Sequence, residues 1–396
     1  VVPGAAAKVA FSTQPGNSTA GSPLSGPPTV VVQDSLGNTV TSSTASITLA
    51  IGTNPSGGTL SGTTPKSATA GVASFSDLSI NKADTGYTLT ASASGLTSAT
   101  SSTFNIAAAA ANKVAFTTQP ANATAGSAIG GPPRVTVQDS FGNTITSSTA
   151  SITVAMGTNP GGGTLSGTTP KTASSGVASF SDLSITKVGN GYTLVASAAG
   201  LTSATSSAFN ISAGSAAVLA FTTQPGNAGA GTNISGPPTI TVHDALGNTV
   251  SSSTASITVA IGTNPGGATL SGTTAKNASA GGATFTDLSI DKAGNGYTLT
   301  ASAIGLTGAT SGALNISAGA ASQVAFTTQP GSAAAGTVIP GPTTATVQDS
   351  FGNTVTSSTA SISVTIGSNP GGGTLFGTTT KNASLGVASF ADLSID

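Results

Sequence analysis

One unit of sequence recurs along this chain at a fixed spacing of 105 residues, without insertion or deletion. Asp34 returns as Asp139, Asp244 and Asp349, each followed by the same Gly-Asn pair. Such a period predicts an array of similar modules, because each copy folds around its own core and packs against its neighbours. It also favours a function that depends on length or multiplicity over one that depends on a single unique pocket.

The period predicts three complete repeats and one incomplete repeat. Each complete copy has about the usual size of a domain and is long enough to bury its own core. The connectors between copies are short and small-residue-rich, for example Ala107–Asn112, so neighbouring domains are expected to lie end to end. The predicted boundaries are 1–7 for the end of a preceding repeat or linker, 8–112 for repeat 1, 113–217 for repeat 2, 218–322 for repeat 3 and 323–396 for repeat 4.

Strand patterns dominate each repeat. In Ser46–Ile51, apolar Ile47, Leu49 and Ile51 alternate with small or polar residues, and Tyr87–Ala93 alternates in the same way. Short period-2 segments separated by Gly- and Pro-rich turns predict an all-β fold with about seven strands per repeat, arranged as an immunoglobulin-like β-sandwich. The core is expected to rest on apolar columns such as those represented in repeat 1 by Phe11, Val32, Ile47, Phe75, Leu89 and Phe104.

Three motifs carry a resemblance to a known family. Val32–Asn38 (VQDSLGN), Gly71–Phe75 (GVASF) and Gly86–Ala91 (GYTLTA) resemble the bacterial immunoglobulin-like repeats of invasin- and intimin-type surface adhesins. The resemblance implies a stalk that holds an adhesive tip away from the cell surface, although no distinct tip domain is visible here. It also implies that Tyr87, Tyr192 and Tyr297 form the tyrosine corner of such sandwiches. The strand pattern predicts structural core positions for Phe75, Phe180 and Phe285.

The composition argues against catalysis. The chain has one His, no Cys and no Glu, so neither a Ser-His-Asp nor a Cys-His arrangement can recur in every copy. His243 occupies a column of Gln residues and is expected to be an outward surface substitution. We therefore predict no enzyme activity and no cofactor. A net charge of −1 gives no reason to expect nucleic acid, and no apolar run is long enough to span a membrane.

Two acidic columns are filled in all four copies, and they are the weak candidates for a Ca²⁺ site at the domain joints. A Ca²⁺ ion needs six to eight oxygen ligands, to which Asn38 could add its side chain if folding joins the loops. The favoured alternative is that Asp34 bonds amides of its own turn and Asp77 orders a corner. The candidate residues are Asp34, Asp77, Asp139, Asp182, Asp244 and Asp287.

The fourth copy stops at Asp396, before the Tyr strand and the final Phe-Asn-Ile strand of the other copies. A sandwich without these strands exposes part of its core and open strand edges. One interpretation is that another subunit donates the missing strands. The favoured interpretation is that the sequence is a window of a longer array, with Val1 in the column of Ile106 as the end of a preceding repeat.

These observations predict a non-enzymatic, extracellular or cell-surface structural protein, the stalk or fibre body of a bacterial adhesin. The first alternative is a self-assembling extracellular filament in which subunits share strands or joints, because little surface charge opposes self-association. The second is a carbohydrate-binding module, although the chain has no Trp to form an exposed platform. The expected partners are neighbouring repeats or further copies of the chain, and a receptor bound through a tip outside this sequence.

Overall fold

A computed structural model describes residues 2–396, which form strands and turns and no helix. The predicted all-β, immunoglobulin-like sandwich fold is confirmed. Contacts divide the chain into two compact units, Val1–Ser212 and Ala213–Asp396, each of which contains two of the predicted repeats. The described residues contain no helix that is long and apolar enough to cross a membrane. Val1, the predicted final core position of a preceding repeat, lies outside the described residues.

The first unit contains 24 strands, twelve in each repeat, at positions that recur with the sequence period. The strands of repeat 1 are β1 (Lys8–Thr13), β2 (Ser18–Thr19), β3 (Thr29–Gln33), β4 (Ser46–Ile51), β5 (Leu60–Ser61), β6 (Lys66–Ser67), β7 (Val72–Ser74), β8 (Ser79–Ile80), β9 (Asp84–Tyr87), β10 (Leu89–Ser92), β11 (Ala99–Thr100) and β12 (Phe104–Ala107). Those of repeat 2 are β13 (Lys113–Thr118), β14 (Ala123–Thr124), β15 (Arg134–Gln138), β16 (Ser151–Met156), β17 (Leu165–Ser166), β18 (Lys171–Thr172), β19 (Val177–Ser179), β20 (Ser184–Ile185), β21 (Gly189–Tyr192), β22 (Leu194–Ser197), β23 (Ala204–Thr205) and β24 (Phe209–Ser212).

The second unit repeats this order, except that the described residues of repeat 4 form no counterpart of β2 and end at the counterpart of β8. The strands of repeat 3 are β25 (Val218–Thr223), β26 (Ala228–Gly229), β27 (Thr239–His243), β28 (Ser256–Ile261), β29 (Leu270–Ser271), β30 (Ala275–Asn277), β31 (Gly282–Thr284), β32 (Ser289–Ile290), β33 (Gly294–Tyr297), β34 (Leu299–Ser302), β35 (Ala309–Thr310) and β36 (Leu314–Ser317). Those of repeat 4 are β37 (Gln323–Thr328), β38 (Thr343–Gln348), β39 (Ser361–Ser363), β40 (Leu375–Phe376), β41 (Thr380–Asn382), β42 (Val387–Phe390) and β43 (Ser394–Ile395).

Each complete repeat is built from small sheets that enclose one core. In repeat 1 the sheets have the orders β1-β3-β7, β11-β10-β4-β6, β2-β12-β9 and β5-β8. The pairing between β1 and β3 is antiparallel, with Val9 opposite Val32. The last strand, β12, pairs in parallel with β2, with Ile106 opposite Ser18. The first and last parts of the repeat are therefore held side by side.

The predicted single strand Tyr87–Ala93 is wrong, because the chain changes sheets at Thr88. Tyr87 ends β9 and lies opposite Phe104, whereas Leu89 begins β10 and lies opposite Ile51. Thr88 is buried at the crossing, where its hydroxyl accepts a hydrogen bond of 2.8 Å from the amide of Thr53. The alternation of side chains continues through the crossing, so the sequence pattern alone reads as one strand. The prediction of about seven strands likewise missed the two-residue strands β2, β6, β8 and β11.

The predicted core columns are buried with one exception. Val32, Ile47 and Leu89 are each 0 % exposed, and every repeat has a hydrophobic cluster of its own. Phe11 is only partly buried and packs against the edge of its cluster. In repeat 4 the cluster is smaller, and Val324 is 56 % exposed. No counterparts of β9 to β12 cover this part of repeat 4.

A two-residue turn before β7 places a non-glycine residue in the left-handed region. Ala70 has a φ of 49° and Gly71 a φ of 74°, and the flanking Thr69 and Val72 exchange both backbone hydrogen bonds. This is the geometry of a type I′ hairpin turn, which favours glycine or asparagine at both central positions. The alanine therefore carries a steric cost that its glycine neighbour does not.

We expect Ala70→Gly to stabilise repeat 1 by about 0.5–1 kcal/mol, because the relief of the left-handed backbone exceeds the added chain entropy. Hydrogen exchange of repeat 1 amides during denaturant unfolding of the full chain would measure the change. The matched control is Ala68→Gly, two residues away, where the side chain is 3 % exposed. That change is expected to destabilise the repeat by about 1 kcal/mol. A loss of stability in both variants would contradict the prediction.

Candidate interdomain joint

A buried aspartate ties the connector of each repeat to a turn at the start of that repeat. In repeat 2, Asp139 is 0 % exposed. Its Oδ1 accepts hydrogen bonds from the amides of Phe141 (2.9 Å) and Asn143 (2.8 Å). Its Oδ2 accepts bonds from the side-chain amide of Asn143 (2.8 Å) and from the connector amide of Ala109 (2.9 Å). Four donors thus satisfy both carboxylate oxygens, and one of them belongs to the chain that enters from repeat 1.

The same clamp is present in the other three repeats. The connector amides of Gly4, Gly214 and Gly319 donate to Oδ2 of Asp34, Asp244 and Asp349 at 2.8–2.9 Å. The side-chain amides of Asn38, Asn248 and Asn353 donate to the same oxygens at 2.9–3.0 Å. Because the clamp recurs in every repeat, it is a property of the repeated unit.

These hydrogen bonds hold the aspartates ionised. The side-chain amide of Asn38, together with three backbone amides, lowers the pKa of Asp34 to about 2. At Asp139, burial pushes the pKa upward, but the hydrogen bonds from Asn143, Ala109 and Phe141 outweigh it and leave the pKa below its ordinary value. Hydrogen bonds donated to an ionised carboxylate favour its charged form and therefore lower its pKa.

Asn143 also reaches across to the preceding repeat. Its Nδ2 donates a second hydrogen bond, of 3.0 Å, to the carbonyl of Asn81, and its Oδ1 accepts a bond of 3.0 Å from the amide of Ala83. The side chain is 8 % exposed. One amide group therefore joins the aspartate clamp of repeat 2 to the 81–83 loop of repeat 1, using both its donor and its acceptor atoms.

A lysine and an aromatic ring complete this joint. Lys82 Nζ donates to the carbonyl of Phe141 at 2.9 Å. The ring of Phe141 lies against Gly21 of repeat 1 so closely that a Cβ at Gly21 would be 2.2 Å from Cζ of the ring. Gly21 thus provides the space into which the aromatic side chain of the next repeat fits. Besides the connector bond from Ala109, the joint of repeats 1 and 2 thus combines an apolar contact with three hydrogen bonds made by the 81–83 loop.

Repeats 3 and 4 make the same joint within the second unit. Asn353 donates to the carbonyl of Asp291 at 2.8 Å and accepts from the amide of Ala293 at 2.9 Å. Lys292 Nζ donates to the carbonyl of Phe351 at 2.6 Å. A Cβ at Gly231 would lie 2.2 Å from the ring of Phe351. The same positions of the repeat thus form the same contacts in both units.

The second acidic column lies in a separate place and has different partners. Asp77 Oδ2 accepts hydrogen bonds from the amide (2.9 Å) and hydroxyl (2.5 Å) of Thr63, and Oδ1 lies 3.4 Å from Lys66 Nζ. Among residues 2–396 no group of three or more His, Cys, Asp or Glu side chains could hold a metal ion. The structure therefore does not bring the two columns of Ca²⁺ candidates, which also include Asp182 and Asp287, into one cluster.

The predicted structural residues all lie in the cores. Phe75, Phe180 and Phe285 are each 1 % exposed, and Tyr87, Tyr192 and Tyr297 are each 0 % exposed. The hydroxyls of the three tyrosines donate to the carbonyls of Lys82, Lys187 and Lys292. His243 is half-buried at the end of β27, where its ring contacts the hydroxyl of Thr241 and the carbonyl of Gly247.

Sequence reasoning missed the residues that join one repeat to the next. It assigned Asn143 to a turn and gave no role to Lys82 or to the aromatic position of Phe141. A signal was present, because lysine recurs at Lys82, Lys187 and Lys292 in a chain with only ten basic residues. A recurrent charge in so uncharged a sequence indicates a fixed partner.

We expect Asn143→Asp to weaken the joint of repeats 1 and 2 by about 1–3 kcal/mol, because it loses two donors and puts a second carboxylate beside Asp139. Spin labels at Thr48→Cys and Thr153→Cys would report the distance distribution between these repeats, since the chain has no other cysteine. The distribution should broaden. The matched control, Asn38→Asp, alters the same turn in repeat 1 and should leave this distribution unchanged. Equal distributions in Asn143→Asp and the unaltered chain would contradict the prediction.

Several solved structures are remotely similar to this chain. No protein-family model matches the chain, and no curated protein matches its sequence. The similar solved structures include invasin, described as a bacterial integrin-binding protein, at 14% identity and a TM-score of 0.31, covering 98% of this chain and 79% of that one. They also include InvD of Yersinia pseudotuberculosis, at 18% identity and a TM-score of 0.30, covering 78% of this chain and 96% of that one.

A surface-layer protein also shows similarity. Domains 4–9 of surface layer protein SbsC match at 16% identity and a TM-score of 0.23 over 82% of this chain. The chain spans half the length of that fragment. These proteins include an invasin, a member of the adhesin class that the sequence motifs resemble. Similarity this remote supports no conclusion about function. The fold follows from the strands and sheets themselves, and the function has to be inferred from the joint.

Proposed function

We propose that this protein is a non-enzymatic structural protein of the bacterial cell surface, in which successive repeats form a stalk. The observation that carries the proposal is the joint, made by the same positions in both units. Three features together restrict the rotation of one repeat relative to the next. A buried aspartate binds the connector, an asparagine bonds both repeats, and an aromatic ring packs against a glycine of the preceding repeat. Restricted joints convert the number of repeats into reach, which is what a stalk requires.

The topology within each repeat also suits a mechanical role. The last strand β12 pairs in parallel with β2 near the beginning of the repeat, with Ile106 opposite Ser18. The amide of Thr97 donates to the carbonyl of Ala7 just before β1. A pull on the two ends of the repeat therefore acts along these paired segments and shears several hydrogen bonds together, instead of opening them one after another.

The chemistry of the surface agrees with this proposal. Apart from the aspartate clamps and the Lys82 column, one lysine–aspartate pair recurs in repeats 1 and 2. The Nζ–Oδ1 distance is 3.4 Å between Lys66 and Asp77 and 2.9 Å between Lys171 and Asp182. In these two pairs, each lysine is neutralised by an aspartate of its own repeat. The one histidine lies on β27, where its ring contacts the hydroxyl of Thr241 and the carbonyl of Gly247. The other three repeats have glutamine at this position, so the contact is not a property of the repeated unit.

Labelling of intact cells of the source organism with antibodies against the repeats would test the proposal. We expect gold particles on unpermeabilised cells, at a distance from the envelope that falls when a two-repeat segment of the gene is deleted. Label that appears only after permeabilisation would contradict the surface role. Surface label whose distance does not depend on the number of repeats would contradict the stalk.

A further inference from the structure

In repeats 1 and 3 the buried tyrosine contacts the loop that bonds the following repeat. The ring of Tyr87 is 0 % exposed, and its hydroxyl donates to the carbonyl of Lys82, five residues earlier, at 2.9 Å. In repeat 3, Tyr297 donates to the carbonyl of Lys292 at 2.9 Å. Both carbonyls belong to the lysines whose Nζ atoms bond the following repeat.

This carbonyl is the central one of a three-residue loop that is fully engaged by the neighbouring repeat. Residue 81 offers its carbonyl to Asn143, residue 82 its ammonium group to Phe141, and residue 83 its amide to Asn143. The carbonyl of Lys82 bonds within its own repeat, to the hydroxyl of Tyr87. The tyrosine hydroxyl thus ties the middle of the loop to the core of its own repeat.

The space around the hydroxyl is kept open by glycine. A Cβ at Gly58 would lie 3.0 Å from the hydroxyl of Tyr87, and a Cβ at Gly266 would lie 2.2 Å from that of Tyr297. In repeat 1 a second group reaches the loop, because Ser56 Oγ donates to the carbonyl of Ala83 at 3.3 Å. In repeat 3 the position of Ser56 is taken by Gly266. Tyr297 therefore supports its loop without help from a serine there.

We propose that the tyrosine hydroxyls of Tyr87 and Tyr297 are positioning groups for the joint, which fix the orientation of the following repeat through the Lys82 and Lys292 loops. This inference rests on the proposed stalk function and names the group that stiffens each joint. The ring contributes to the core, and the hydroxyl acts on the loop. Removal of the hydroxyl alone should therefore loosen the joint and leave the sandwich folded.

The test is Tyr87→Phe and Tyr297→Phe in the full chain, with spin labels in the two repeats of the affected joint. For repeats 1 and 2 the labels are Thr48→Cys and Thr153→Cys, and for repeats 3 and 4 they are Thr258→Cys and Ser363→Cys. We expect each substitution to broaden the distance distribution of its own joint, with the larger effect in Tyr297→Phe. Exchange of the Ala83 amide in Tyr87→Phe should rise about five- to tenfold, the shift expected for the loss of one hydrogen bond.

Tyr192→Phe is the matched control, because it removes the same group from repeat 2 and should leave the distribution of repeats 1 and 2 unchanged. Unchanged distributions in Tyr87→Phe and Tyr297→Phe would overturn the inference, as would faster exchange throughout repeat 1, which indicates a purely structural role. If the distance distribution is narrow in the unaltered chain and stays narrow in Tyr87→Phe and Tyr297→Phe, only this inference is refuted. A broad distribution in the unaltered chain refutes the proposed stalk itself.

Discussion

Replacement of Phe75 by alanine is expected to destabilise repeat 1 by about 3–5 kcal/mol, the cost of removing a fully buried ring and leaving a cavity. The side chain is 1 % exposed, and Lys66 Nζ lies 5.7 Å from the centre of the ring on its outer side. The alanine variant loses both the apolar burial and this cation–π contact. Residue-resolved hydrogen exchange of the full chain under increasing urea would give the stability of repeat 1 separately from the others.

The control for this substitution is Ile304→Ala, which removes a side chain that is fully exposed in repeat 3. It is expected to change the stability of its repeat by less than about 0.5 kcal/mol. A cost below about 1 kcal/mol for Phe75→Ala would mean that the ring is not enclosed as the structure shows, since buried phenylalanines do not cost so little. Equal costs in the two variants would contradict the account of the core.

Asp139→Asn is expected to cost about 2–6 kcal/mol, because an amide group supplies one acceptor oxygen in place of two. Two of the four donors at this position would lose their acceptor, and each buried unsatisfied donor costs about 1–3 kcal/mol. The donors include the connector amide of Ala109, so the cost should fall on the joint as well as on the turn. The exchange of the Ala109 and Asn143 amides would report the loss directly.

The matched control is Asp182→Asn, at a carboxylate whose side chain is 42% exposed and paired with Lys171. Exposed pairs of this kind contribute about 0–1 kcal/mol, so the control should be nearly neutral by comparison. If Asp139→Asn were equally mild, the aspartate clamp would not hold the connector. The two variants remove the same charge, so the difference between them reports the buried hydrogen bonds.

The clamp also predicts how stability depends on pH. The folded-state pKa values of Asp34 and Asp139 lie below the ordinary aspartate value of about 3.9. Such groups contribute stability that is fully present above that value and is lost as the pH falls through the folded-state pKa. Stability should therefore be level from neutral pH to about pH 4 and fall between pH 4 and 2, the lower value being the pKa of Asp34. Asp139→Asn should show a smaller fall in repeat 2.

The sequence allowed a strand to be predicted wherever the alternation of its side chains ends where its pairing in one sheet ends. Ser46–Ile51 was predicted with its bounds, because each of its residues faces either the core or solvent. The crossing at Thr88 could not be predicted, since a strand that changes sheets keeps its alternation. Phe11 shows the other failure. Its column alternates correctly, but β1 is an edge strand, so the ring is only partly covered.

The site was less predictable than the fold, for a physical reason. Asp34 was given two interpretations, a Ca²⁺ ligand or a turn acceptor, because the same carboxylate geometry serves both. The partners of Asn143 lie about sixty residues away in another repeat, and no periodic pattern relates them to it. The clue was composition, because lysine recurs at Lys82, Lys187 and Lys292 in a chain with only ten basic residues.

The most direct test of the joint is the distance distribution between labels at Thr48→Cys and Thr153→Cys in the full chain, with Thr258→Cys and Ser363→Cys as the second pair. The contacts of the joint predict one narrow distribution for each pair. They also predict the same mean distance for both, because the labelled columns and the joint contacts are the same. Broad distributions in the unaltered chain, or distributions that are insensitive to Asn143→Asp and Asn353→Asp, would contradict this prediction.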